Sequence, residues 1–225
     1  MRWRTRGFLA AGAVATLATG IFTGVRRAER RRAQALAEST ARLGLVFARR
    51  DDVAVSPVVL RLPLFTRSWL KKGRVGVVRN VAHGVVGDRW VLTFDYDFYP
   101  GGPRPSFTVV AIPWRGVMLP ELQLQARHGM PATPRLRAPA YVLDGASPRR
   151  AYVLRVGDEA AAGRLRDSLL VAFLREQPAP LCVEAAGEWV IVYRPRIRAA
   201  ELDDLVGRAL DVGRLAAGTF VSHAP

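Results

Sequence analysis

The clearest alternation in the chain runs over residues 89–98. Trp90, Leu92, Phe94, Tyr96 and Phe98 alternate there with Val91, Thr93, Asp95 and Asp97. A strict period of two with large rings on one side predicts a β-strand with one face buried and one face wet or shared. Shorter apolar runs precede it at 45–47, 53–60 and 74–82, the first two split by the charged turn Arg49-Arg50-Asp51-Asp52. Gly84-Val85-Val86-Gly87-Asp88 reads as a hairpin connection. The turn Pro100-Gly101-Gly102-Pro103-Arg104-Pro105 leads into a β-branched run at 107–112. Together these predict an antiparallel meander of at least three strands.

Prolines at 120, 131, 134, 139 and 148 prevent a long helix across 115–150. Leu119, Leu122 and Leu124 read as a short strand or turn, 126–140 as a loop, and 141–143 and 151–156 as strands. Residues 158–176 then take a helical period. Asp158 is placed to cap this helix, Leu165, Leu169, Ala172 and Phe173 fall on one stripe, and Pro178 and Pro180 end it. A hairpin follows at 181–184 and 188–193, around Ala185-Ala186-Gly187. Leu202, Leu205, Val206, Ala209 and Leu210 mark a last amphipathic helix over 199–216. The predicted class is α+β: a β-meander, then a β-α-β-β-α part.

The longest uncharged run is residues 7–25, GFLAAGAVATLATGIFTGV. As a helix its 19 residues span roughly 28 Å, close to the ~30 Å hydrocarbon core of a bilayer. It ends Phe22-Thr23-Gly24-Val25-Arg26 and offers no small-x-small cleavage site, which favours an uncleaved anchor over a signal peptide. Arg2, Arg4 and Arg6 precede the run; Arg26, Arg27, Arg30, Arg31 and Arg32 follow it, offset by Glu29. The larger count on the C-terminal side places the soluble part in the cytoplasm. Residues 26–43 contain no Pro or Gly and read as a basic helical stalk. The organisation is therefore a single-pass membrane anchor (1–25), a stalk (26–43) and an α+β domain (44–220), with 125–150 as the place where two subdomains would divide.

Charge sharpens this reading. The net charge is +15, high enough to suggest nucleic acid as a partner. Residues 1–32 hold eight arginines against one acid, a net +7; the remaining 26 basic and 18 acidic residues give +8. Nearly half of the excess thus flanks the apolar run, where it sets topology. The rest is spread among acids, with no nucleic-acid motif.

Catalytic signatures are few. Phosphate-binding glycine loops, HExxH, CxxC and GxSxG are all missing. His83, His128 and His223 are isolated in sequence, and Cys182 lies in an apolar strand, as an unreactive buried thiol would. Asp95 and Asp97, at i and i+2 of one strand, are the candidate catalytic pair, with His83 as a third group. Two carboxylates on one face can share a proton or take a metal; the bland alternative is a solvated strand face. No cofactor and no metal ligand set is expected.

The segments LPLF (62–65), VRNVAHGVVGDRWVLTFDYDFY (78–99) and VEAAGEWVIVYR (183–194) resemble the soluble part of a family of uncharacterised bacterial single-pass membrane proteins. The resemblance covers about residues 40–216 and implies the anchor and the architecture. It implies no activity and no functional residue. The expected function is a non-enzymatic binding or scaffold module at the membrane, with the lipid bilayer or another membrane protein as partner and no nucleic acid. The alternative is a metal-dependent or acid/base hydrolase using Asp95 and Asp97.

Overall fold

A computed structural model describes residues 23–24, 26–48, 77–97, 106–131, 133, 135–145 and 151–221. The strand expected at 53–60, the turn at 100–105, His223 and all but two residues of the apolar run lie outside them. Among the described residues no helix is long and apolar enough to cross a membrane.

Among the described residues the first element is helix α1, over 26–42. Strands β1 (Val46–Ala48), β2 (Val77–Val86), β3 (Arg89–Asp97), β4 (Ser106–Pro113) and β5 (Leu119–Ala126) follow, then β6 (Ala140–Leu143) and β7 (Tyr152–Val156). Helices α2 (Glu159–Arg166) and α3 (Leu169–Glu176), strands β8 (Cys182–Gly187) and β9 (Trp189–Pro195), a single 3₁₀ turn (Ala199–Glu201) and helix α4 (Leu202–Val221) complete it. The nine strands form one sheet in the order β1-β2-β3-β4-β9-β8-β5-β7-β6. Every neighbouring pair is antiparallel. The α+β class and the β2-β3-β4 meander follow the sequence pattern.

Four local readings need correction. Gly84 is inside β2, not in a turn. A Cβ on it would lie 3.2 Å from the Gly44 carbonyl oxygen and 3.1 Å from Leu45 Cδ2, so this glycine lets the α1–β1 connection approach closely. The turn is only Gly87-Asp88, with Gly87 at φ +62°. The helix expected over 158–176 is two helices, because Asp167 ends α2 and Ser168 starts α3 by accepting from Val171 N at 3.3 Å. The C-terminal part is therefore β-α-α-β-β-α. Residues 119–126 form a full strand between β8 and β7; a register shift between Leu119 and Leu122 accommodates Pro120. Lastly, α4 runs five residues beyond the expected end at 216 and starts only after the 3₁₀ turn.

All four helices lie on one face of the sheet. Leu205, Val206, Ala209 and Val212 of α4 pack with Val110, Ile112, Val190 and Val192, and Leu36 of α1 joins the same core. Each such aliphatic side chain contributes about 1.5–3 kcal/mol over leaving it exposed. The opposite face carries a second cluster built from Leu92, Phe94, Tyr96, Phe107, Ile191 and Tyr193. The rings of β3 thus point away from the helices, and Val91, Thr93, Asp95 and Asp97 point toward them.

Candidate functional site

The site is the place where α1 meets this sheet. Arg79 pairs with Asp95 and Ala82 with Thr93, so β2 carries one residue more than β3 over this stretch. Asn80 absorbs it at φ +53°, a left-handed conformation that asparagine tolerates and that is typical of a bulge. The bulge aims Asn80 at Asp95, where Nδ2 donates to Oδ2 at 2.8 Å. Thr108 of β4 donates its hydroxyl to Oδ1 at 3.0 Å. From α1, Arg32 Nε and Nη2 donate to the two carboxylate oxygens at 2.8 and 2.7 Å. Arg32 Nη1 also donates to the Ile197 carbonyl at 2.5 Å.

Asp95 is 3% exposed and accepts four hydrogen bonds, which fill the roughly four acceptor positions of a carboxylate. A second pair adjoins it. Arg196, just beyond β9, donates Nη1 and Nη2 to the two oxygens of Glu29 on α1, both at 2.7 Å. Its Nε lies 3.8 Å from Asp95 Oδ2. The charges alternate as Glu29, Arg196, Asp95, Arg32. The Arg196 hydrogen bonds hold the Glu29 carboxyl below the usual glutamate range, against the opposing effect of burial. Burial alone would lower Arg196; the hydrogen bonds to Glu29 and the charge of Asp95 outweigh it and hold it above its ordinary value.

The inner stripe of α1 contains Glu29, Arg32, Ala33, Leu36 and Thr40, at helical spacing. Ala33, Leu36 and Thr40 are buried, while Arg26, Arg27, Arg30 and Arg31 are exposed. Arg32, which the sequence groups with the membrane-flanking arginines, reaches inward to Asp95. Arg2, Arg4 and Arg6 lie outside the described residues.

Asp95 and Asp97 share one face of β3, as their spacing predicts. Asp95, however, is buried in a central strand and not solvated. Asp97 accepts from the Ser106 hydroxyl at 2.6 Å and lies 3.6 Å from Arg79 Nε. His83 is not brought to them. It pairs with Leu92 in the ladder, roughly 10 Å along β3 from Asp95, and stacks near Trp90 with ring centroids 6.2 Å apart. His128 is exposed in the loop after β5. Among the described residues no group of three His, Cys, Asp or Glu could hold a metal ion. Asn80 and Thr108 as partners of Asp95, and Glu29 as the partner of Arg196, were not found from the sequence. A helical projection of 26–43 carries the signal for Glu29, because it falls on the stripe of Ala33 and Leu36.

A second buried polar group lies on the other face. Glu184 accepts from Gln123 Nε2 at 2.9 Å and from the Tyr193 hydroxyl at 3.1 Å. Burial pushes the neighbouring Cys182 thiol up to about 12, which makes it unreactive at neutral pH.

No protein-family model and no curated protein matches the sequence. Among solved structures, the chain is similar to the mycobacterial trehalose monomycolate transport factor A, TtfA. The TM-score is 0.56 at 19% identity, over 84% of this chain and 94% of that one. The likeness establishes the fold.

Proposed function

We propose that the chain is a non-enzymatic binding or scaffold module, anchored in the membrane by a single N-terminal span, with its α+β domain on the cytoplasmic side. The observation that carries this is the saturated Asp95. The best enzyme candidate of the sequence is committed to Arg32, Asn80 and Thr108, and its role is to seat α1 on the sheet. A helix seated in this way passes the position of an anchor on to the whole domain, which suits a scaffold held at a fixed height above a membrane. The solved neighbour is a transport factor, which is compatible with an accessory, membrane-associated role. The hydrolase reading has less support, since a carboxylate with four donors on it is poorly placed to take a proton from a substrate.

Fractionation of cells expressing the full chain and a chain lacking residues 1–25 tests the anchor. The full chain is expected in the membrane fraction after alkaline carbonate washing, and the truncated chain in the supernatant. A full chain released by carbonate would sink the anchor. A reporter fused to the C-terminus is expected to be active inside the cell, and activity outside would reverse the orientation.

A further inference from the structure

The fold sorts the charges of the first helix. Residues 26–32 hold five arginines and one acid. Glu29 is consumed by Arg196, and Arg32 by Asp95. The inward-facing charges are thereby neutralised in pairs, and the outward face keeps Arg27, Arg30 and Arg31 with no acid among them. Arg27 and Arg31 are like charges at i and i+4, which disfavours the helix when nothing offsets it. Among the described residues Arg27, Arg30 and Arg31 enter no ion pair. An anionic surface laid against this face would relieve the repulsion.

We infer that the outer face of α1 binds the headgroups of anionic phospholipids, with Arg27, Arg30 and Arg31 as the selective contacts; this rests on the membrane-anchored reading above. Length fits the assignment. From residue 26 to 31 the helix rises roughly 7.5 Å, and the headgroup layer on each side of a bilayer is roughly 5–7 Å thick. The three arginines follow closely on the apolar run, so all of them fall within that layer. Glu29 and Arg32 are turned to the sheet at the same level, which brings the Asp97–Ser106 end of the domain down to the lipid surface. An anchor flank alone would need only positive charge on the helix. The structure adds a rigid seat that fixes which arginines face outward.

The test uses the full chain purified in detergent and equilibrated with mixed micelles of phosphatidylglycerol and phosphatidylcholine, with retained lipid counted by native mass spectrometry. The wild type is expected to retain phosphatidylglycerol preferentially. The triple variant Arg27→Gln/Arg30→Gln/Arg31→Gln is expected to lose about fivefold of that preference per arginine, and the corresponding triple Lys variant to keep it. Hydrogen exchange in α1 is expected to be no faster in the Gln variant, because the Arg32 and Glu29 pairs remain. A wild type indifferent to headgroup charge, or a Gln variant with undiminished preference, would overturn the inference. So would single-stranded RNA binding as tightly as phosphatidylglycerol. A chain that resists carbonate extraction yet shows no lipid preference refutes only this inference; one that carbonate releases refutes the anchored reading itself.

Discussion

Arg32 on α1 grips Asp95 on β3 through two parallel N–H···O bonds of 2.7 and 2.8 Å, joining residues 63 positions apart in the chain. Asp95 is 3% and Arg32 14% exposed, so the Asp95 carboxylate stays buried if its partner is lost. Removing one side of such a buried pair costs about 3–5 kcal/mol. Arg32→Ala and Asp95→Ala are each expected to destabilise the domain by that order in urea denaturation. The double variant Arg32→Ala with Asp95→Ala should lose clearly less than the two single changes added together. Strict additivity in the double-mutant cycle would show that the two side chains do not act as a pair.

The neighbouring pair sets an acid limit. Glu29 is held below its ordinary value by Arg196, so the folded state favours its ionised form. Its contribution is fully present above the unfolded glutamate value, about 4.3, and is lost as pH falls through the lower folded value. Helix α1 is expected to loosen from the sheet in this acid range, and Glu29→Gln should flatten that part of the profile. Hydrogen exchange in α1 followed against pH checks it. An unchanged profile in Glu29→Gln would remove Glu29 from the account.

Asn80 combines two requirements at one position. Its left-handed backbone, φ +53°, suits Asn or Gly, and its amide completes the Asp95 shell at 2.8 Å. Asn80→Gly should keep the bulge and lose only the hydrogen bond to a charged group, about 1.5–3 kcal/mol. Asn80→Val should lose the hydrogen bond and add strain of about 1–3 kcal/mol. Thermal melts of the two variants should therefore rank Gly above Val. Equal losses would mean that the backbone conformation carries no cost.

Elements with a strong period were legible from the sequence. β3 with its alternating rings stands where the pattern put it; the late hairpin and α4 are present with other bounds, since Ala185-Ala186-Gly187 belongs to β8 with the turn at Glu188, and α4 runs over Leu202–Val221. Two kinds of feature were not. Gly84 looked like turn chemistry, but it answers to the close passage of residues 44 and 45, a tertiary contact that leaves no local trace. The Asp95 site escaped for a related reason. Its parts come from α1, β2, β4 and the end of β9, and each reads alone as an ordinary surface residue. Arg196 sits between Arg194 and Arg198 at the end of β9, and Glu29 sits among arginines whose charge it offsets, so neither shows its partner in the sequence. What could be read was the same-face placement of Asp95 and Asp97, because period two guarantees it; which partner would come to meet Asp95 depended on the topology.

Gly213 of α4 is a contact of this hidden kind. A Cβ placed on it would lie 2.6 and 2.7 Å from two carbons of the Trp114 ring, closer than any methyl can sit. The ring has little room to yield. Arg89 stacks over it at 4.3 Å, and its backbone N–H donates to the Glu188 carbonyl at 2.5 Å. In an open helix Gly→Ala would gain about 1 kcal/mol from propensity. Here the overlap must be relieved by displacing the indole or the helix, at about 1–3 kcal/mol, so the steric cost wins. Gly213→Ala is expected to lower the melting temperature and shift the tryptophan emission. In a Trp114→Leu background the same change should become neutral or stabilising, because only the propensity gain then remains. A Gly213→Ala protein that melts at or above the wild type would show that α4 and the Trp114 ring are not in contact as described.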